Sequence, residues 1–304
     1  MGLKYDLNDA LIKARMTSEA MLIVEGKDDC QIYFEMAKIA QKNVFIYQVN
    51  EFENYEAGCT GVVKCMETLQ PKFIERVDNI NWVLGIIDRD MRFYRGEIPN
   101  NLNGLFITKY YSIESYFATG NNLKKLLTKI TFILEKDIQQ EQIDIIEDNF
   151  KISIDQLYLI SLEAFKNACS SGYDKLLGYD DSHGKITEQG FLNYILPILK
   201  AKESLLQQFA DTKNVKIEDI KLIAKGKWYL HWYVKRVYFV IKQLKGMCKN
   251  KDIPQCRSCM VENYNYCLFG LKSSFTEEQL HNEMLNFIDE AECADIIAAI
   301  SVLN

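Results

Sequence analysis

The chain has 304 residues, of which 48% are hydrophobic and 26% are charged, with four prolines and a net charge of −6. This composition is typical of one large or two modest globular domains and excludes a long disordered chain. The N-terminal residues lack the apolar core of a signal peptide. No run approaches the roughly 18 uncharged apolar residues of a membrane span. We therefore expect a cytoplasmic protein whose nine cysteines stay reduced.

The first part of the chain alternates short apolar runs with helical patterns. Strands are predicted at residues 21–26, 44–49, 82–88 and 104–111, and helices at 7–19, 28–39 and 61–69. Strands that alternate with helices indicate βαβ units. We expect residues 1–120 to form an α/β domain with a parallel sheet and helices on both faces.

The pattern changes after Gly120 and becomes mainly helical. Helical periodicity covers residues 121–147, 152–169, 190–210 and 228–245. A capping signal at Thr276, with Gln279 three residues later, begins a last helix that runs to Leu303. Residues 121–304 are therefore expected to form a second, mainly helical region.

Acidic residues follow three of the predicted strands. Glu25 ends the first strand, Asp88 and Asp90 follow the third, and Glu114 comes after the fourth. Ligands bind beyond the carboxyl ends of parallel strands. Residues at i and i+2 of an extended segment point the same way, so we expect Asp88 and Asp90 to face together and Arg89 to turn aside. Carboxylates that converge without histidine suit Mg²⁺ or Mn²⁺, which can activate water in phosphodiester chemistry. A single acidic residue after a strand is usually a turn or helix cap, but this combination favours a metal site.

Three segments carry a resemblance to a known family. VEGKDD (24–29), IIDRD (86–90) and the later SIE (112–114) resemble the TOPRIM domain of topoisomerases, primases and OLD-type nucleases, over roughly residues 20–120. The SIE segment is closer to the OLD-like branch. The resemblance implies a nuclease that cleaves phosphodiester bonds with Mg²⁺ or Mn²⁺.

The resemblance also implies a role for each matched residue. Glu25 and Asp29 would bind one metal ion, Asp88 and Asp90 would bind the ion that bridges to phosphate, and Ser112 and Glu114 would complete the second site. Glu25 could instead act as a general acid or base.

The OLD-like branch also uses a lysine late in the chain. Lys225 or Lys227, in IAKGKWYL, would fill that role by stabilising negative charge in the transition state. The alternative is a surface lysine beside a loop glycine.

More narrowly, the size of the chain and the segment YYSIESYF (110–117) are similar to the TOPRIM nuclease effectors of PARIS anti-phage defence systems. That resemblance implies an ABC-type ATPase partner subunit, host tRNA as the substrate, and a homodimer as the active form. Other TOPRIM-like defence nucleases are the alternative. Two further hypotheses stay open, an OLD-like DNA endonuclease and a non-catalytic TOPRIM scaffold subunit. The chain has no P-loop motif, so ATP hydrolysis would fall to a partner.

Four late cysteines are spaced C-x7-C-x2-C-x7-C between residues 248 and 267. They are Cys248, Cys256, Cys259 and Cys267. A C-x2-C pair with two further thiolates can complete a tetrahedron around a structural zinc ion. Free thiols are the alternative, and the other five cysteines are expected to be packing residues.

A basic, aromatic stretch lies in the second region. Residues 221–251 contain nine lysines and arginines and no acidic residue. Lys227, Lys235 and Arg236 are therefore candidate contacts to a nucleic-acid backbone. The alternative is a core helix that buries Trp228, Trp232 and Phe239.

Histidine is not expected to take part in catalysis. His183 lies in a polar turn, and His231 lies within a predicted helix, where a core or capping role is typical. Neither is near the acidic residues in sequence, which disfavours a histidine-based nuclease.

Overall fold

The computed structural model describes residues 4–99 and 101–304. The chain forms two compact units, Met1–Ile113 with Glu290–Asn304, and Glu114–Asp289. The division predicted at residue 120 assigned all of 121–304 to the second region, whereas the last fifteen residues pack with the first. Within the described residues, no helix combines the length and apolar character needed to cross a membrane.

The first unit alternates helices and strands. Its elements up to Ile113 are α1 (Leu7–Thr17), β1 (Ala20–Val24), α2 (Lys27–Ile39), β2 (Val44–Gln48), α3 (Cys59–Glu75), β3 (Val83–Ile87), α4 (Asp90–Arg95) and β4 (Leu105–Ile107). The four predicted strands are confirmed, although β4 is shorter than its predicted range. The start predicted for α2 is also close, because Gly26 is the N-cap and the first turn carries two aspartates.

The sheet is parallel, with strand order β2-β1-β3-β4. Met21 pairs with Val83 across the central two strands, and Gly85 pairs with Leu105 at the next. The chain passes from β1 to β2 on one side and then returns to β3 on the other. The switch point of the sheet therefore lies between β1 and β3, where α/β proteins bind ligands.

Helices cover both faces of this sheet. One face, which includes Met21 and Ile23, packs in a single core with residues of α1 and α3. The buried residues of α2 lie outside that core, and α2 contacts β1 and β2. All five residues of β1 and of β3 are buried, as expected for central strands covered on two sides.

The second unit is helical. Its helices are α5 (Gly120–Ile130), α6 (Gln140–Cys169), α7 (His183–Thr187), α8 (Gln189–Ala201), α9 (Glu203–Thr212), α10 (Ile220–Ile223), α11 (Gly226–Ile241), α12 (Leu244–Asn250), α13 (Arg257–Met260) and α14 (Glu277–Met284). The long helix α6 contacts α5, α8, α9, α10 and α11. Helix α11 in turn contacts α7 and α14.

The aromatic residues of α11 form the centre of this unit. Trp228 and Trp232 are fully buried, and each indole nitrogen donates a hydrogen bond, to Asp181 O (3.1 Å) and Ser153 Oγ (2.9 Å). The core interpretation of these two tryptophans is confirmed. Phe239 is 55% exposed, so its assignment to the core was wrong.

Two helix predictions were wrong in their extent. Residues 121–147 are not one helix, because α5 ends at Ile130 and Thr131 forms an antiparallel bridge with Leu271. The last predicted helix is interrupted after α14 and resumes in the first unit as α15 (Ala294–Ser301). Asp289, buried in the interruption, accepts a hydrogen bond from Thr119 Oγ1 at 2.8 Å. A long-range polar contact of this kind leaves no local signal in the sequence.

Candidate metal centres

The carboxylates of the first unit meet at the switch point of the sheet. Glu25 directly follows β1, and Asp88 directly follows the neighbouring strand β3. Glu25 Oε1 accepts a hydrogen bond of 2.7 Å from the Asp88 backbone N–H. Asp88 Oδ1 in turn accepts one of 3.2 Å from the Ile113 N–H. Backbone donors thus orient both carboxylates at the edge where the two strands end.

The charges at this edge are crowded. Burial, together with the nearby charges of Asp29 and Asp90, raises the pKa of Glu25 to about 7. Burial also raises the pKa of Asp90, although the Arg92 N–H and guanidinium oppose that effect. Because Glu25 titrates near neutral pH, this carboxyl can hold or release a proton under physiological conditions.

An arginine among these carboxylates was missed by sequence reasoning. Arg92, in α4, places Nη1 3.5 Å from Asp90 Oδ2, and its charge also lowers the pKa of Glu25. Cys59 lies at the start of α3. Burial and the nearby charge of Glu25 raise the pKa of the Cys59 thiol to about 11. The signal for Arg92 was its position two residues after the D-x-D segment. Arg92 lies near the carboxylates only because α4 begins at Asp90.

A tyrosine also belongs to this group. Burial raises the pKa of Tyr111, and the charges of Asp90 and Asp88 raise it further. The Asp90 N–H donates to Tyr111 O at 3.0 Å. The phenol of Tyr111 therefore stays neutral beside the two carboxylates. No sequence pattern predicted Tyr111 at this position.

The extended geometry predicted for residues 88–90 was wrong. Arg89 has helical dihedral angles, and Asp90 begins α4 with φ of +25°. Few residues other than glycine adopt a positive φ, and such strain clusters at functional sites. Asp90 Oδ1 accepts a hydrogen bond from the Arg92 N–H at 2.6 Å. Arg89 does turn aside, with its guanidinium 3.5 Å from the centroid of the Phe93 ring.

The structure gives the two other predicted ligands of this unit distinct surroundings. Asp29 Oδ2 accepts a hydrogen bond from the Gly26 N–H at 3.0 Å, so Asp29 closes a capping box at the start of α2. Ser112 is buried, with 5% of its surface exposed. Asp29 therefore has a structural contact in addition to its electrostatic effect on Glu25.

Two predicted residues of the second unit lie near each other. Glu114 is the first residue of that unit, and its charge acts on the ammonium group of Lys225. Lys225 precedes α11, and its Nζ donates to Tyr179 O at 2.8 Å. Burial and the neighbouring Lys227 lower the pKa of Lys225.

The candidate nucleic-acid contacts differ in exposure. Lys227 is exposed. Lys235 donates to Thr187 O at 2.6 Å, and the Arg236 guanidinium lies 4.9 Å from the Trp232 ring, so both make contacts inside the unit. The other exposed basic residues of the stretch lie further along, from the end of α11 to the end of α12. They are Lys242, Lys245, Lys249 and Lys251.

The four late cysteines form a compact group. All four are buried and free of disulfides, and their sulfur atoms lie within 4.8 Å of one another. Cys248 lies in α12, Cys256 caps α13, Cys259 lies within α13, and Cys267 follows a turn of 3₁₀-helix. The group can hold a structural metal ion such as zinc.

Backbone N–H groups point at two of the sulfur atoms. The Leu268 N–H lies 3.4 Å from Cys256 Sγ, and the Cys256 N–H lies 3.2 Å from Cys248 Sγ. Burial acts to raise the pKa of Cys256, but hydrogen bonds from Leu268 and Cys259 outweigh it and lower that pKa to about 7. These donors stabilise thiolates and orient them as outer contacts of a metal site do.

Within residues 4–99 and 101–304, this is the one set of three or more histidine, cysteine or acidic residues with its ligand atoms so close together. The carboxylates of Glu25, Asp29, Asp88 and Asp90 form no set of three within the same 4.8 Å. The two candidate centres therefore differ in how fully their ligands are assembled.

No protein-family model matches the chain, and no curated protein matches it in a sequence comparison.

Proposed function

We propose that this chain is a TOPRIM-like nuclease that uses Mg²⁺ or Mn²⁺ at the strand ends of its first unit. The observation that carries the proposal is the pairing of Glu25 with Asp88 across the switch point of a parallel sheet, at 2.7 Å. Ligands bind at that point in α/β folds. The resemblance of VEGKDD and IIDRD to the TOPRIM domain supports the same residues.

The donor set fits a hard divalent cation. Glu25, Asp88 and Asp90 offer carboxylate oxygens, which Mg²⁺ and Mn²⁺ prefer. Glu25 also has a raised pKa because its charge is buried near two other carboxylates. A cation would relieve that repulsion. When bound, such an ion supplies Lewis-acid stabilisation of phosphate oxygens and an activated water.

Residues around the proposed ion have separate roles in orientation, proton transfer and phosphate binding. The Asp88 N–H fixes the direction of the Glu25 carboxylate. Glu25 Oε2 then either binds the ion or, where Asp88 and Asp90 alone hold it, transfers a proton, because the pKa of Glu25 is about 7. Arg92 neutralises Asp90 and is a cation for a bound phosphate, and the hydrogen bond from its N–H holds the Asp90 carboxylate in place.

The narrower identity also belongs to this proposal. We infer an anti-phage effector of the PARIS type that cleaves tRNA, works as a homodimer and is held by an ABC-type ATPase partner. The similarity of residues 110–117 supports it. In the second unit we propose Lys225, which lies near Glu114, as the late lysine that stabilises transition-state charge. We also propose zinc as the ion of the four-cysteine group.

The proposal is tested by a cleavage assay on purified protein with total tRNA and, separately, plasmid DNA. Each substrate is incubated with Mg²⁺, Mn²⁺ or EDTA. The variant is Glu25→Gln, which keeps the acceptor for the Asp88 N–H but removes the charge. The matched control is Glu67→Gln, at an exposed position of α3. We expect metal-dependent cleavage of tRNA by the wild type and the control, and none by Glu25→Gln.

Other outcomes decide among the alternatives. The same dependence on plasmid DNA would favour an OLD-like endonuclease. If neither substrate is cleaved, the chain is either an effector that needs release by its partner or a non-catalytic scaffold. Expression in cells with the partner ATPase and a phage trigger distinguishes these two hypotheses. Toxicity that Glu25→Gln abolishes indicates an effector that needs release. Toxicity unchanged by that substitution would exclude the strand-end site.

A further inference from the structure

The three histidines of the chain, which are far apart in sequence, gather in one place in the second unit. His183 begins α7, His231 lies in α11 and His281 lies in α14. Their ring centroids are separated by 4.3 Å (183–231), 5.6 Å (231–281) and 6.4 Å (183–281). The chain has no other histidine. Convergence from three helices is not explained by helix formation or by core packing.

Their setting is polar and open. A cavity of about 590 Å³ is lined by His183 and His231, and by Thr276, Glu277 and Glu278 at the start of α14. His183 is exposed, and the other two are half-buried. A solute can therefore reach the rings of His183 and His231 through this cavity.

The spacing of the rings matches that of imidazoles on one metal ion. In a tetrahedral zinc site, bonds of about 2.0–2.1 Å to nitrogen place two ring centroids about 5 Å apart. The three observed separations lie on both sides of that value. Imidazole nitrogens suit zinc, cobalt and nickel, which distinguishes this cluster from the carboxylates of the first unit.

We propose that His183, His231 and His281 form a binding site for a divalent transition-metal ion, separate from both centres described above. The ring nitrogens do not all lie within 4.8 Å of one another, so binding requires rotation of the rings. The torsion that turns an imidazole is broad, and the exposed His183 is the ring most able to turn.

Neighbouring groups support a cation here. His281 Nδ1 lies 3.4 Å from Asn282 Oδ1, a contact that favours the proton on Nδ1 and so leaves Nε2 as the ligand atom. Glu278 is close enough to His183, and Glu114 to His281, for each carboxylate to act on the ring electrostatically. Lys225 and Lys227 act on His183 in the opposite sense. Glu278, which lines the cavity, is the carboxylate we assign as a fourth ligand.

The test is a titration of Co²⁺ into the full-length chain after its cysteine group has been filled with zinc. A histidine site gives visible cobalt bands without the thiolate-to-cobalt charge transfer that a cysteine site gives. Co²⁺ can also bind the carboxylates of the first unit, so the expected result is one further equivalent that the histidine variants lose. His183→Ala should weaken this binding at least about tenfold, since even outer contacts of metal sites are worth 10–100-fold. Gln189→Ala, at an exposed position of α8, should bind as the wild type does.

Three results would overturn the proposal. They are no cobalt bands that depend on the histidines, equal binding by His183→Ala, and a melting temperature that inorganic phosphate raises and Co²⁺ does not. Circular dichroism of each variant establishes that it is folded. His231→Gln, at a half-buried ring, is a second variant, and it should also lose the additional equivalent.

Discussion

The two candidate metal centres of this protein handle charge in opposite ways. In the second unit, four cysteines are buried together with their sulfur atoms within 4.8 Å. In the first, the carboxylates of Glu25, Asp29, Asp88 and Asp90 share one strand edge but form no comparable set. A thiol is neutral when protonated, so thiols can pack closely without a cation, whereas carboxylates repel each other.

The carboxylate edge therefore contains its own means of charge relief. Arg92 pairs with Asp90, and Glu25 has a pKa near neutrality because of burial and neighbouring charge. In the four-cysteine group, by contrast, backbone N–H groups point at two of the sulfur atoms. The cysteine group can hold a structural ion, and the proposed ion at the carboxylates would exchange more easily, as a catalytic ion does.

The largest expected effect comes from removing a sulfur ligand. Cys256→Ser should lose one equivalent of zinc and destabilise the second unit by more than about 4 kcal/mol, because loss of a structural metal is among the most damaging substitutions. Metal content by mass spectrometry and urea unfolding followed by tryptophan fluorescence measure the two effects. Cys169→Ser, at the end of α6, is the control that should keep the zinc. Full metal content in Cys256→Ser would contradict the zinc assignment.

The sequence was sufficient to predict those candidate site residues whose positions follow from a local pattern. Glu25 and Asp88 each directly follow an apolar run. Because the two runs were predicted as parallel strands, their ends, and so these two residues, were expected to lie together. The spacing of the four cysteines likewise predicted their cluster. Both signals are short-range in sequence or follow from sheet topology.

The sequence was insufficient where position depends on a turn or on tertiary contacts. Arg92 reaches Asp90 because α4 begins at Asp90 with an uncommon positive φ, which no propensity predicts. Lys235 was expected at a nucleic-acid surface, but its ammonium contacts Thr187 O in the folded unit. The histidine cluster depends on the packing of α7 and α14 against α11, which has no local signature.

The charge at Glu25 should be visible in the pH dependence of stability. The pKa is raised from 4.5 to about 7 in the folded chain, so the stabilisation from the neutral form is full below pH 4.5 and is lost as pH rises through 7. In EDTA, Glu25→Gln should be as stable as the wild type at pH 4.5 and more stable by about 1–3 kcal/mol at pH 8. Urea unfolding at both values measures this.

Added Mg²⁺ makes the same experiment sharper. The proposed ion would bind the charged form of Glu25, so at pH 8 it should stabilise the wild type and leave Glu25→Gln nearly unchanged. A stability difference that is constant from pH 4.5 to pH 8 would refute the buried-charge account of this edge.

A smaller effect is expected from removing the internal cation. Arg92→Gln should destabilise the first unit by about 1–2 kcal/mol, because Asp90 loses a partly exposed partner. Added Mg²⁺ should then raise the melting temperature more in this variant than in the wild type, since the ion replaces the missing charge. Arg76→Gln removes a surface ion pair with Asp78 and should show no such gain. Equal shifts in all three proteins would argue against a cation site beside Arg92.

The smallest effect on stability, and a distinct effect on binding, is expected at the basic surface near the cysteines. Lys245 and Lys249 are exposed, Lys249 lies 5.6 Å from the Tyr264 ring, and Tyr266 is 72% exposed. Cations beside exposed aromatic rings can hold a phosphate backbone and stack bases. The double variant Lys245→Ala, Lys249→Ala should unfold as the wild type does, because neither side chain is buried.

Its affinity for tRNA should fall about 3- to 10-fold at low salt, and the slope of log K against log salt should become shallower by about 2. Fluorescence anisotropy across a salt series measures both quantities. The exposed pair Lys136→Ala, Lys216→Ala removes the same charge from other parts of the second unit. If both double variants weaken binding equally, the interaction follows net charge alone. If only the first does, the surface beside the four cysteines binds nucleic acid, and the cysteine group would hold that binding element in place.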